Sequence, residues 1–319
     1  MDIYQSALDE ILSLSIIAEW PTAQELMGRA ARRQPKNWQL PGLAGRAVGG
    51  RSEQVGPPTA AVAAMHVSIL LIDDLLDADP RGEHHRIGVG AAANTAAALQ
   101  AAAVEIILKC EWVSPGARLA ATRSLNNLAL TTCFGQYLDM LNPADEESYW
   151  RVVRLKSSPL FATSFELGAL FGGGSPVVVG QLKRLGEIYG EIMQIHDDLK
   201  DTLATPANPD WLLGRSPLPI LFAETVPHPQ SLNSALFVKH LHEANQNQTL
   251  IGAELTAASL PLAYSRATIA LDPDLVTQQF AQPNLRQATA GRQRVFAREA
   301  IEPKQLAEFV HRSSHPARV

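Results

Sequence analysis

The chain has 319 residues, of which 46% are hydrophobic and 18% charged, with a formal net charge of −5 at pH 7. Such a length can enclose a large core, while the acidic balance argues against nucleic acid or an anionic membrane surface as a partner, since both require an excess of Lys and Arg. Cys110 and Cys133 lack metal-type spacing and are expected to be reduced core residues of a cytoplasmic protein. The first twenty residues are acidic, with no signal-type cleavage site, and no apolar run is expected to reach the roughly 18 residues of a membrane span.

Residues 2 to 18 read as one amphipathic helix (Ile3, Leu8, Ile11, Leu12, Leu14) ending near Trp20 and Pro21, followed by a short helix over about residues 23 to 33. Arg32, Arg33 and Lys36 form a small basic group before Pro41, compatible with a solvated linker or a ligand contact. A further helix starts at Pro41 and ends at Gly49-Gly50, a plausible C-cap. Pro57-Pro58 then opens a long apolar helix.

That helix carries the first unusual feature. Val67 to Ile72 runs directly into Asp73, Asp74 and Asp77, with no turn residue before Pro80. At about 100° per residue, Asp77 lies about 40° from Asp73, one turn further on. The C-terminal end of a helix dipole is itself negative, so three acids there need a counter-ion, and a hard divalent cation with oxygen ligands is the natural candidate. A second copy, Asp197, Asp198 and Asp201, repeats the spacing 124 residues on (73 to 197), again ending an apolar helical stretch. One such cluster can be a solvated helix end; two facing each other could hold several Mg²⁺ ions on one polyanionic ligand.

Between the two motifs, residues 88 to 109 are rich in small side chains, which implies close helix–helix approach. A helix over about residues 115 to 141 contains Gln136 and Asp139. The next begins at Asp145, includes Arg151, Arg154 and Lys156, should kink at Pro159, and ends at Gly172-Gly173-Gly174. Beyond the second motif, residues 202 to 214 read as a loop, a helix starts at Arg215, and the segment 273–319 carries no motif. No strand-like alternation is present. The expected fold is all-α, one helical bundle domain over residues 1–319.

From about residue 40 to 222 the chain resembles the polyprenyl synthetase family, the trans-isoprenyl diphosphate synthases. The resemblance rests on Asp73-Asp74-Leu75-Leu76-Asp77 and Asp197-Asp198-Leu199-Lys200-Asp201, with Gln194 before the second. Gln136 and Asp139 resemble the family's GQxxD, Lys156-Ser157 its Lys-Thr pair and Gly214-Arg215 its Gly-Lys. It implies an isoprenoid-synthase bundle with the two aspartate helices facing a central cavity, and a homodimer. It also implies about three Mg²⁺ held by Asp73, Asp74, Asp77, Asp197 and Asp201, with Lys156, Gln194 and Asp198 in the catalytic machinery and Arg81, Lys156, Arg215 and Gln136 on the substrate diphosphate. Met65, Ser68 and Ile69, with Val62, would wall a prenyl tunnel below Asp73. Ile69 and Ser68 stand where the family helps to set product length, and neither is a large aromatic.

Two elements depart. Aligned on Pro41, the three basic positions of the family's Gly-Gly-Lys-Arg-x-Arg-Pro are Asn37, Trp38 and Leu40, and the Arg-Arg-Gly after the first motif is reduced to Arg81-Gly82, followed by His84-His85 on an expected loop. Two readings follow. In the first, an Mg²⁺-dependent prenyltransferase joins an allylic diphosphate to isopentenyl diphosphate. In the second, a terpene-synthase-like lyase or a transferase to another acceptor is favoured by Asn37, Trp38 and Leu40, since an aromatic or apolar acceptor site needs no arginines. A non-catalytic subunit of a heteromeric synthase is disfavoured by two complete motifs.

Overall fold

The structure is a computed structural model, and it describes residues 2–202 with 217, 218 and 221. The described residues are helical, with no strand among them. They divide into two compact units: the described residues up to Tyr137 with Val153–Glu191, and Leu138–Val152 with the described residues from Ile192 on.

In the first unit α1 (Ile3–Leu12), α2 (Ser15–Ala18) and α3 (Pro21–Arg32) replace the expected two helices. The long first helix breaks because the Ser13 hydroxyl turns back to the Glu10 carbonyl at 2.7 Å, and Leu14 is extended at φ −75°, ψ 116°. A 3₁₀ turn (Lys36–Gln39) leads into α4 (Leu40–Ala47), and the expected C-cap is present: Gly49 has φ +88° and Gly50 N–H bonds the Gly45 carbonyl at 2.9 Å. A second 3₁₀ turn (Ser52–Val55) precedes α5 (Gly56–Leu76), the first aspartate helix. Then come α6 (His84–Ile87), α7 (Val89–Leu108), α8 (Pro115–Asp139), α9 (Glu146–Lys156), α10 (Ser158–Phe171) and α11 (Pro176–Thr202). The expected kink at Pro159 is a complete break: α9 stops at Lys156, and Pro159 occupies the first turn of α10, where its missing N–H costs nothing.

Helix α5 is the axis of this unit, packed by α1, α4, α7 and α10. Every residue from Pro57 to Met65 is buried, so the helix has no solvent face over that stretch. The alanines of α7 bring it close alongside. At Gly168 of α10 an added Cβ would lie 2.2 Å from the Pro41 carbonyl oxygen, so this contact between α10 and α4 exists only because the side chain is absent. Burial decides where α5 ends. Each acid at the negative helix end costs about 0.3–1 kcal/mol, whereas each large apolar side chain buried gains roughly 1.5–3 kcal/mol. Four buried large apolar side chains, Val62, Met65, Val67 and Leu71, outweigh the acids; the helix runs to Leu76, and Asp77 caps it.

Three expectations need correction. Glu53–Leu76 and Val89–Leu108 are in fact long and apolar enough to cross a membrane by length and composition, because α5 and α7 have few charges before their ends; both serve as packed helices of the first unit, the first of them mostly buried. Cys133 is exposed on α8, and only Cys110 is a core residue, its thiol pushed up to about 11 by burial. Trp38 and Leu40 are core side chains, 0% and 1% exposed, so neither can line an acceptor site.

The Trp38 indole N–H donates to Nδ1 of His66 at 3.1 Å, which fixes a neutral imidazole protonated on Nε2. Burial holds this imidazole down from 6.5 to about 4. Because the folded value lies below the unfolded one, the stability due to neutral His66 is complete above pH 6.5 and lost as pH falls towards 4. Between pH 7 and pH 5, His66→Gln is therefore expected to lose about 1–2 kcal/mol less stability than the wild-type chain. Urea unfolding at the two pH values measures the difference.

Candidate active site

The C-terminal end of α5 gathers negative charge. Asp73, Asp74 and Asp77 are each half-buried. Lys156, the last residue of α9, meets the first of them, its Nζ 3.2 Å from Asp73 Oδ1. The Asp74 carboxyl is pushed up first by burial, then by the neighbouring charges of Asp79 and Asp73, while the Glu83 main-chain N–H and the His84 ring pull it down. Asp79 is held below the usual carboxylate range chiefly by hydrogen bonds from Arg81. Arg81 itself is 88% exposed and is taken up by Asp79, at 3.0 Å between Nη2 and Oδ2. The structure gives Arg81 an acidic partner two residues back in the chain, just beyond the first motif.

The position of Lys156 depends on the glycine before Gln136. A Cβ on Gly135 would lie 2.3 Å from the Lys156 amide nitrogen and 2.4 Å from the Leu155 carbonyl carbon, so α8 presses backbone against the end of α9. Gln136 is 4% exposed, and its Nε2 has no hydrogen-bond partner, which leaves a buried donor available to a ligand oxygen.

The expected tunnel-wall residues sit lower on α5. Val62 and Met65 are fully buried, Ser68 accepts a hydrogen bond from Gln100 Nε2 of α7 at 3.1 Å, and Ile69 is partly buried. His66 was not foreseen, although helical spacing could have found it: seven residues before Asp73, it lies about 20° from it around the axis. The pair His84-His85 is on the one-turn helix α6 rather than a loop, and the rings lie side by side with centroids 4.1 Å apart.

The second motif belongs to the other unit. Asp197 and His196 are exposed, with 3.8 Å between His196 Nδ1 and Asp197 Oδ1. Asp198 points inward. Its carboxylate accepts from the Tyr149 hydroxyl at 2.6 Å, Gln194 Nε2 at 2.8 Å and the Leu218 N–H at 2.9 Å. Burial pushes the Asp198 carboxyl up and the three donors oppose it; the Tyr149 phenol is driven well above its ordinary value by burial and the Asp198 charge. The sequence pairs Gln194 with this motif but gives no signal for Tyr149, seven residues before Lys156 on the same helix. The Asp201 side chain, Arg215 and the segment 273–319 lie outside the described residues.

Both motifs offer oxygen donors only, the chemistry of Mg²⁺. Among the described residues no three acids or histidines converge on one point. Mg²⁺ is ordinarily held by one or two carboxylates, with waters and substrate phosphates completing its octahedron, so half-buried carboxylates on one helix end fit an ion shared with a diphosphate.

The polyprenyl synthetase profile matches residues 42–246. The chain belongs to the polyprenyl synthetase family. The match begins just after Pro41, beyond the divergent Asn37–Leu40 element. The chain is 31% identical over 219 residues to the geranylgeranyl diphosphate synthase of Methanosarcina mazei, covering 66% of each, so the match spans just under two thirds of that relative. In structure it is similar to the geranylgeranyl pyrophosphate synthetase of Pyrococcus horikoshii, with a TM-score of 0.64 at 17% identity over 96% of this chain and 95% of that one. It is also similar to the geranylgeranyl pyrophosphate synthase of Corynebacterium glutamicum, complexed with calcium and isoprenyl diphosphate: TM-score 0.61, 20% identity, 98% and 96% of the two chains. At these identities the structural likeness establishes the all-α fold of isoprenyl diphosphate synthases.

Two substitutions test the geometry. Gly135→Ala forces the end of α9 away and is expected to cost about 1–3 kcal/mol by overpacking, read by urea unfolding. Tyr149→Phe keeps the ring and removes one donor from a buried carboxylate, with an expected loss of about 1–3 kcal/mol in the same measurement.

Proposed function

We propose that the protein is an Mg²⁺-dependent prenyltransferase that joins an allylic prenyl diphosphate to isopentenyl diphosphate, as a cytoplasmic homodimer. The observation that carries this reading is the Asp73–Lys156 pair, an anion and a cation 3.2 Å apart at the end of the first aspartate helix, in a chain of this family. Asp73, Asp74 and Asp77 with Asp197 and Asp201 would hold the metal, about three ions in all. When bound, Mg²⁺ would neutralise the diphosphate and stabilise its departure as the allylic C–O bond breaks.

The protein's own groups supply the rest. Lys156 would turn its ammonium from Asp73, one of the carboxylates that would hold the metal, to the leaving diphosphate, which takes the electron pair of the broken bond. Arg81 leaves Asp79 for the same anion, with Arg215 and Gln136 as further donors. Gln194 and Asp198 hold the second motif in place. The isopentenyl double bond attacks the allylic cation, and loss of a proton leaves an allylic diphosphate one isoprene unit longer. Met65, Ser68 and Ile69 belong to the apolar wall that shields the cation from water.

The reading with a different acceptor drew on Asn37, Trp38 and Leu40, of which Trp38 and Leu40 lie in the core. The homodimer is supported by Leu130, Phe134 and Tyr137, exposed at i, i+4 and i+7 along α8, an apolar stripe suited to a second copy.

The deciding experiment incubates the protein with Mg²⁺ and geranyl, farnesyl or geranylgeranyl diphosphate, with and without isopentenyl diphosphate. Longer prenyl diphosphates that form only with isopentenyl diphosphate are expected. Hydrocarbons or alcohols formed without it would replace this reading with the terpene-synthase one, and no turnover would remove both. Asp73→Ala is expected to lower turnover by at least about 100-fold.

A further inference from the structure

We infer that Arg29, on α3 and remote in sequence from both motifs, is a positioning residue for the first metal-binding motif. The inference rests on the reading of Asp73, Asp74 and Asp77 as metal ligands. Arg29 grips Glu83 with two prongs: Nη2 lies 2.7 Å from Oε2 and Nε 3.3 Å from Oε1. Both side chains are only 13% exposed, so the pair is largely withdrawn from water. Arg29 also contacts Glu25 one turn back on its own helix, which fixes the guanidinium from the other side.

The Glu83 main-chain amide faces the Asp74 carboxylate, and the backbone of Gly82 beside it lies against the same residue. The contact sequence therefore runs from Arg29 through the Glu83 side chain to the Glu83 amide, and from there to the motif. The loop between α5 and α6 fits tightly against the same carboxylate. A Cβ on Gly82 would lie 2.5 Å from His84 Nδ1 and 3.0 Å from Asp74 Cβ, and His84 Nδ1 is buried without a hydrogen-bond partner. Asp74 thus faces a preset amide, and that fixes the terminal turn from which Asp73 and Asp77 project. An Arg–carboxylate fork provides orientation that a single ammonium cannot. Outer groups that orient metal ligands typically govern affinity by about 10–100-fold.

The test measures Mg²⁺ binding by titration calorimetry in the presence of inorganic pyrophosphate, alongside steady-state turnover. Arg29→Met is expected to weaken Mg²⁺ about 10-fold and raise the Mg²⁺ concentration for half-activation equally, with kcat at saturating Mg²⁺ within about two-fold of wild type. Arg29→Lys, which keeps the charge but not the fork, should recover only part of the loss. Wild-type Mg²⁺ affinity in folded Arg29→Met, with circular dichroism unchanged, would overturn the inference. If Arg29→Met does not fold, the near-isosteric Glu83→Gln takes its place: wild-type affinity there is equally fatal, and about 10-fold weakening supports the clamp. Asp73→Ala separates the two readings. Lost binding in Asp73→Ala with retained binding in Arg29→Met refutes the clamp alone, whereas retained binding in Asp73→Ala refutes the metal site and the clamp with it.

Discussion

Negative charge at the wrong end of a helix is the constraint on which the active-site half of this protein depends. Helix α5 ends in Asp73, Asp74 and Asp77, where the backbone dipole is already negative. The apolar residues behind them are buried deeply enough to hold the helix to its last turn. What remains is an anionic surface that neighbouring elements answer one group at a time. Lys156 meets Asp73, the Glu83 amide meets Asp74, and Arg81 meets Asp79.

Each of those answers depends on packing elsewhere. Lys156 reaches Asp73 because α9 ends there, and α9 ends there with the backbone of α8 against it at Gly135. The Glu83 amide reaches Asp74 from a loop held by Arg29. The two motifs have diverged in use despite identical spacing. The first presents three half-buried carboxylates, whereas the second turns Asp198 inward, where Tyr149, Gln194 and the Leu218 amide occupy it. A motif repeated in sequence is not repeated in environment.

Much of the fold was legible from residue patterns. Long helices with clear signals, the two aspartate helices and the alanine-rich α7, lie close to where periodicity and Pro/Gly punctuation put them. The misplaced boundaries have local causes: a serine side chain competing for a carbonyl at Ser13, and a proline that starts α10 instead of bending a longer helix. The reading of Trp38 as part of an acceptor surface failed for another reason. A substitution that removes a positive charge can equally indicate a new ligand or a core position, and only burial tells them apart.

The sequence by itself determined the helical class, the family, and the carboxylates that make a metal–diphosphate site the natural proposal, because these follow from periodicity and from acid spacing on one helix. Tertiary structure decided which groups meet those carboxylates. Arg29 and Tyr149 carry no local mark, since their roles come from contacts across 54 and 49 residues of chain, to Glu83 and Asp198. A pattern within one helix is written in neighbouring residues. A contact between helices is written only in the packing that brings them together.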